Sequence, residues 1–91
     1  MITAIVLIHT ATDSIPETAQ AIADIEGVSE VYSCAGDIDL IAVVKVETHE
    51  DLAELIPRHI SKIPGVRNTN THIAYRSYSQ ADTEAAFSIG D

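Results

Sequence analysis

Apolar positions along the chain fall into short runs and spaced stripes that alternate in order. Ile2 to His9 is a β-branched apolar run whose two faces, Ile2, Ala4, Val6, Ile8 and Thr3, Ile5, Leu7, His9, are both largely apolar. A run of that length and composition predicts a strand. Thr12-Asp13-Ser14 breaks it, and Ser14-Ile15-Pro16-Glu17 has the spacing of a capping box. Pro16 falls in the first helical turn, where its missing N–H costs nothing. A helix is expected to about Ile25, with Ile15, Ala19, Ile22 and Ala23 on its inner side and Gly27 ending it. Val28 to Ala35 reads as a second strand, more polar and therefore at an edge. Ile38 to Val46 is a third, almost wholly apolar strand. Between them Gly36-Asp37 predicts a tight turn, Gly36 taking the positive φ of its first central position.

The second half repeats the scheme. Thr48 can cap a helix whose inward stripe is Leu52, Leu55, Ile56, Ile60 and Ile63. Pro57 lies inside that helix and predicts a bend or distorted turn rather than a break. Pro64-Gly65 stops it, and Val66 to Tyr75 is a fourth strand. Ile25-Glu26-Gly27-Val28 and Ile63-Pro64-Gly65-Val66 share Ile-x-Gly-Val where a helix hands over to a strand. Two such units make an α+β fold, the ferredoxin-like split βαβ arrangement β-α-β-β-α-β. It has a four-stranded antiparallel sheet, strands one and three central, and two helices on one face. The other face should be polar if it met water, yet it carries Ile5, Leu7, Ile41 and Val43. A monomer rarely exposes such a patch, so a second copy is expected to cover it. Residues 1–76 form this domain. Residues 77–91 are a C-terminal extension, with a short capped helix expected over Ser79 to Phe87.

Composition narrows the function classes. Ninety-one residues make one domain, and 46% hydrophobic content argues for a folded one. Five Lys and Arg against fourteen Asp and Glu give a net charge of −9. No basic stripe is present to neutralise phosphate, which argues against direct nucleic-acid binding, and the same excess argues against an anionic membrane surface. Cys34 is the only cysteine, so no internal disulfide and no Cys-rich metal site can form. The N-terminus lacks a basic leader and its apolar run is too short to span a bilayer, so a cytoplasmic protein is expected.

The element order, the Gly36-Asp37-Ile38-Asp39 turn and the Gly65-Val66-x-x-Thr69-x-Thr71 strand together resemble the effector domain of the leucine-responsive regulator/AsnC family. That domain is called RAM, for regulation of amino-acid metabolism. The resemblance covers Ile2 to about Tyr75. Full-length members carry an N-terminal helix-turn-helix, whereas this sequence starts directly on the first strand, and so it is similar to the stand-alone RAM proteins. What the resemblance implies is a dimer through the sheet face, dimers associating into octamers or decamers, and a small amino acid held between dimers near the hairpin. Transcriptional activity by this chain alone is not implied; it could act on a full-length regulator of the same family by mixed assembly.

A free amino acid presents an ammonium, which suits Asp37, Asp39 and the turn backbone, and a carboxylate, which suits N–H groups, hydroxyls or a cation. Gly36 lets the backbone approach closely. The expected ligand-binding residues are therefore Gly36, Asp37, Ile38 and Asp39, with Thr69 and Thr71 carried over from the family's fourth strand. The plainer alternative is that Asp37 caps the turn, Asp39 pairs across a subunit contact and the threonines are ordinary strand residues. No pair among His9, His49, His59 and His72 has a helical i, i+4 or strand His-x-His metal spacing, so no metal is expected. Cys34 has no activating base specified by spacing, and no catalytic residue and no cofactor are expected. Two other functions compete with amino-acid sensing. One is a small dimeric ferredoxin-like enzyme of monooxygenase or isomerase type, for which only His9, Cys34, Asp39 and Tyr75 could serve. The other is a purely structural assembly unit.

Overall fold

A computed structural model describes residues 1–78 and residue 80. The expected helix over Ser79 to Phe87 lies outside the described residues. Four strands, β1 (Ile2–Thr10), β2 (Val28–Ser33), β3 (Leu40–Val46) and β4 (Val66–Ala74), form one antiparallel sheet in the order β2-β3-β1-β4. Helix α1 (Ile15–Ala23) joins β1 to β2, and α2 (His49–Leu55) joins β3 to β4. The β-α-β-β-α-β order and the central position of the two most apolar strands agree with the sequence reading.

Register fixes which residues share a face. Ala4, Val6 and Ile8 stand opposite Val44, Ala42 and Leu40, and all six are fully buried. Ile22 from α1, Leu52 and Leu55 from α2 and Ile60 complete the same core. Full burial of each Val, Leu or Ile side chain among them contributes about 1.5–3 kcal/mol. Odd-numbered β1 residues point away from the helices. There Leu7 lies opposite Ile41 and Ile5 opposite Val43, with Tyr32 opposite Ile41 on the other side. Ile5 remains 38% exposed and Tyr32 50% exposed, so the apolar open face is real.

The helices differ from expectation in detail. Ser14 stands at the α1 N-cap but makes no side-chain cap, because its hydroxyl donates to the Ala11 carbonyl instead. The helix ends at Ala23 rather than Ile25. Thr18 takes the buried place expected for Ala23, which is exposed. Thr18 tolerates burial because its hydroxyl donates to the Pro64 carbonyl at 3.4 Å, docking α1 on the turn before β4. In α2 the Thr48 hydroxyl accepts from the Asp51 N–H while the Asp51 carboxylate accepts from the Thr48 N–H, a complete capping box. Pro57 has the anticipated effect. Residues Ile56–Ile60 form a π-helical turn closed by Ser61 N–H to the Ile56 carbonyl, which accommodates proline without ending the helix.

Candidate functional site at the hairpin end

The β2–β3 connection is wider than a two-residue turn. β2 stops at Ser33 and β3 starts at Leu40, and the last pairing hydrogen bond runs from the Cys34 N–H to the Asp39 carbonyl. Residues 35–38 therefore form the loop. Gly36 takes φ +118°, as its place in the turn requires, and Gly36 and Asp37 are exposed while Ile38 and Asp39 are half-buried.

Asp39 latches this loop to β1 twice. Its backbone N–H donates to the Ile8 carbonyl at 3.2 Å. Its Oδ2 accepts from the Thr10 N–H at 2.9 Å. The chain curls away from β1 just before Asp39, so the Thr10 N–H would otherwise lose its ladder partner. The carboxylate substitutes for the missing backbone carbonyl, and such charge-assisted bonds are the stronger kind. The local turn chemistry weighed as an alternative is thus present, although it occupies one carboxylate oxygen. Thr10 is itself buried, and its Oγ1 has no hydrogen-bond partner among the described residues. Thr10 was not among the residues expected at the site. A threonine ending an apolar strand carries no signal of a bond to a residue 29 positions away.

Thr69 and Thr71 sit on the helix-side face of β4, opposite Ile8 and Val6, and are half-buried. β1 separates them from the hairpin. At about 4.8 Å per strand spacing, β4 and the hairpin backbone are roughly 10 Å apart. Within one chain, then, Gly36, Asp37, Ile38 and Asp39 come together and the threonines flank them from across a strand.

Other candidates fall elsewhere. His9 and His72 share the open face, opposite Asn68 and Ile5, four residues apart along β4. About 3.3 Å per residue puts them roughly 13 Å apart, too far for one shared ion. The Cys34 thiol donates weakly to the Tyr32 carbonyl. On the open face the Tyr32 hydroxyl donates to the Glu30 carboxylate, and that bond with the adjacent negative charge raises the phenol above its ordinary range. A cleft of about 530 Å³ opens at the opposite end of the sheet, lined by Ile25, Gly27, Lys45, Val46 and Leu55 among others. Two of its acids are already engaged, Asp51 in the α2 cap and Glu54 with Arg58. It has no link to the hairpin.

Comparison with known proteins decides the family. Residues 3–83 match the model of the Lrp/AsnC ligand binding domain. The chain belongs to the Lrp/AsnC ligand-binding domain family. A helix-turn-helix transcriptional regulator of Pyrococcus furiosus is 33% identical over 73 residues, which are 80% of this chain and 49% of the regulator. The chain therefore spans about half the length of that relative. A crystal structure from Thermus thermophilus superposes with a TM-score of 0.81 at 38% identity, covering 88% of this chain and 100% of that one. A Neisseria meningitidis transcriptional regulator solved in complex with L-Met has a TM-score of 0.77 at 11% identity, covering 87% of this chain and 53% of that one, a likeness of fold alone. The Lrp/AsnC assignment agrees with the resemblance drawn from the Gly-Asp-x-Asp turn and the Gly-Val-x-x-Thr-x-Thr strand. Among the described residues, no helix is long and apolar enough to cross a membrane.

Proposed function

We propose that the chain is a non-catalytic effector-binding and assembly module that holds an amino acid at the Gly36–Asp39 hairpin, between subunits. The observation that carries the reading is the half-buried Asp39 carboxylate, pinned at one oxygen by Thr10 and set in an exposed turn of a ligand-binding domain. The pinned carboxylate is pre-oriented, so an ammonium gains a charge-assisted contact without first having to order the acid. Thr69 and Thr71 lie a strand away from Asp39 and join the site only from a neighbouring subunit. The open face of Ile5, Leu7, Ile41 and Val43 is the surface for the second copy, and dimers build from there into an octamer or decamer. That the meningococcal regulator was solved with L-Met supports an amino acid as the ligand class. With a net charge of −9 the domain works on transcription through full-length regulators of its family in the cytoplasm, not through DNA.

The test is thermal unfolding with each common amino acid at millimolar concentration, with oligomer mass followed in parallel. Binding to the folded state stabilises it by RT ln(1 + [L]/Kd), about 2.7 kcal/mol at a hundredfold excess over Kd. Asp39→Asn separates the two roles of the side chain. The amide oxygen still accepts from the Thr10 N–H, whereas the charge that attracts an ammonium is gone. The expected result is a shift with one or a few amino acids that Asp39→Asn abolishes while unfolding within a few degrees of wild type. Absence of any shift from a well-formed oligomer sinks the reading and leaves a structural assembly unit.

A further inference from the structure

Thr10 is 5% exposed, and its Oγ1 is buried with no hydrogen-bond partner among the described residues. Burying a hydroxyl without a partner is costly, and each such group in a folded protein calls for an explanation. The fold does not supply one. Valine has nearly the same shape, suits a central strand at least as well and carries no polar atom to desolvate. The hydroxyl is therefore retained at a cost to the free chain, on the same residue whose N–H makes the hairpin latch.

We propose that Thr10 is a binding residue of the hairpin site, its Oγ1 accepting a hydrogen bond from the ammonium of an amino acid held by the Asp39 carboxylate. This rests on the reading that the hairpin binds an amino acid. The geometry restricts what group can fill the gap. The Thr10 N–H donates to Asp39 Oδ2 at 2.9 Å, and the hydroxyl oxygen of the same residue stands within about 4 Å of that nitrogen, so a rotamer turned towards the carboxylate brings both oxygens within reach of one ligand nitrogen. An ionised carboxylate is acceptor-only, and a hydroxyl offers two acceptor sites. A single group satisfying both must be a multiple donor, which an ammonium with three N–H bonds is. Depth adds strength, because hydrogen bonds to charge gain where water is excluded. The oxygen is sealed in the free chain, so the ligand reaches it as the turn swings aside. Gly36 has no neighbouring atom within 4 Å of where a Cβ would stand, and Gly36 and Asp37 are exposed, so the tip of the turn can shift while Asp39 stays latched to β1.

The experiment uses the full chain, its Thr10→Val and Thr10→Ser variants, and calorimetric titration with the common amino acids. Losing one hydrogen bond to a charged group corresponds to roughly tenfold in affinity. The expected outcome is that Thr10→Val keeps the wild-type oligomer, unfolds at the same or a higher temperature, and binds about tenfold more weakly. Thr10→Ser, which keeps the hydroxyl, stays close to wild type. A more stable Thr10→Val that binds as wild type does overturns the proposal and leaves a buried water as the partner of Oγ1. Should Thr10→Val fail to fold, wild type titrated with the α-hydroxy acid analogue of its best amino acid decides. Equal affinity for the two shows that no ammonium is read and overturns the proposal; a large preference for the amino acid, together with wild-type binding by Thr10→Ser, supports it. If wild type binds no amino acid, the hairpin reading itself fails and this proposal falls with it.

Discussion

Replacing Ile5 by glutamate places one charge at the centre of the open sheet face. In a single chain the side chain is 38% exposed, on the side away from the helices, and no core residue touches solvent as a result. The fold of the single chain should lose about 1 kcal/mol at most, from β-propensity and partial burial. In the proposed dimer the same carboxylate is pressed among Leu7, Ile41 and Val43, which with Ile5 make a contiguous apolar block in the wild type. An unpaired polar or charged group buried there costs about 2–3 kcal/mol or more. A two-fold interface uses the same patch from both copies, so each substitution enters twice. The dimer is then weakened by about 4–6 kcal/mol, or roughly 10³–10⁴-fold in Kd. Sedimentation velocity at micromolar concentration reads the mass, and circular dichroism checks that the secondary structure survives. Ala53→Glu adds the same charge on the exposed side of α2 and should leave the mass unchanged. If Ile5→Glu sediments with the wild-type mass, the open face is not where copies meet and the reasoning fails.

Two further outcomes test the local structure. At Gly65, φ is +99°, and a Cβ would stand 2.4 Å from Thr18 Oγ1 and 2.9 Å from Ser14 Oγ. Gly65→Ala should therefore cost at least about 2 kcal/mol, lowering Tm by about 8 °C or more, whereas Gly36→Ala meets open space and suffers backbone strain alone; equal Tm losses in the two variants would refute the packing argument. The Tyr32 phenol, raised by its bond to Glu30 and by that charge, should titrate above 10.0 when followed by ultraviolet absorbance, and Glu30→Gln should bring it back down. Because its folded value is raised, the contribution of this pair is fully present below the unfolded value and is lost as pH rises through the folded one.

Much of this fold was legible because local signals agreed with one another. Alternation in β1 and β3 named the core and open faces, the Ile-x-Gly-Val echoes marked both helix-to-strand turns, and Pro57 marked a distorted turn, which the structure shows to be π-helical. Three features were not legible, each for want of a partner visible in sequence. Ser14 has capping-box spacing, but the Ala11 carbonyl lies close enough to claim its hydroxyl. Thr18 did not stand out among the inner residues of α1 because its acceptor, the Pro64 carbonyl, is 46 positions away. The Gly36-Asp37 dipeptide suggested a two-residue turn, yet pairing closes at Cys34 and Asp39, since Asp39 is drawn to β1 by the Ile8 carbonyl and the Thr10 N–H. For the candidate site, Asp39 stood out in the sequence as a candidate, whereas the Thr10 N–H bond that orients its carboxylate did not.

The proposed assembly surface and the proposed ligand site lie on separate parts of this chain, and that placement makes their dependence one-directional. Ile5 and its partner Val43 lie in mid-sheet, whereas Asp39 stands four residues before Val43, roughly 13 Å along the strand, at the hairpin end. A substitution at either place leaves the residues of the other in position. Yet a ligand held between dimers needs those dimers to exist, while dimers need only the open face. Asp39→Asn should then abolish amino-acid binding without changing the dimer. Ile5→Glu should abolish dimers and carry ligand binding away with them, although it touches no residue of the site. Linkage demands the converse as well: an amino acid that binds only where dimers meet must promote that meeting, so adding it should raise the mass of the wild type and leave that of Asp39→Asn unmoved. A wild-type mass insensitive to a ligand that does bind would place the amino acid within a single chain, and Thr69 and Thr71, a strand away from Asp39, would then have no part in holding it.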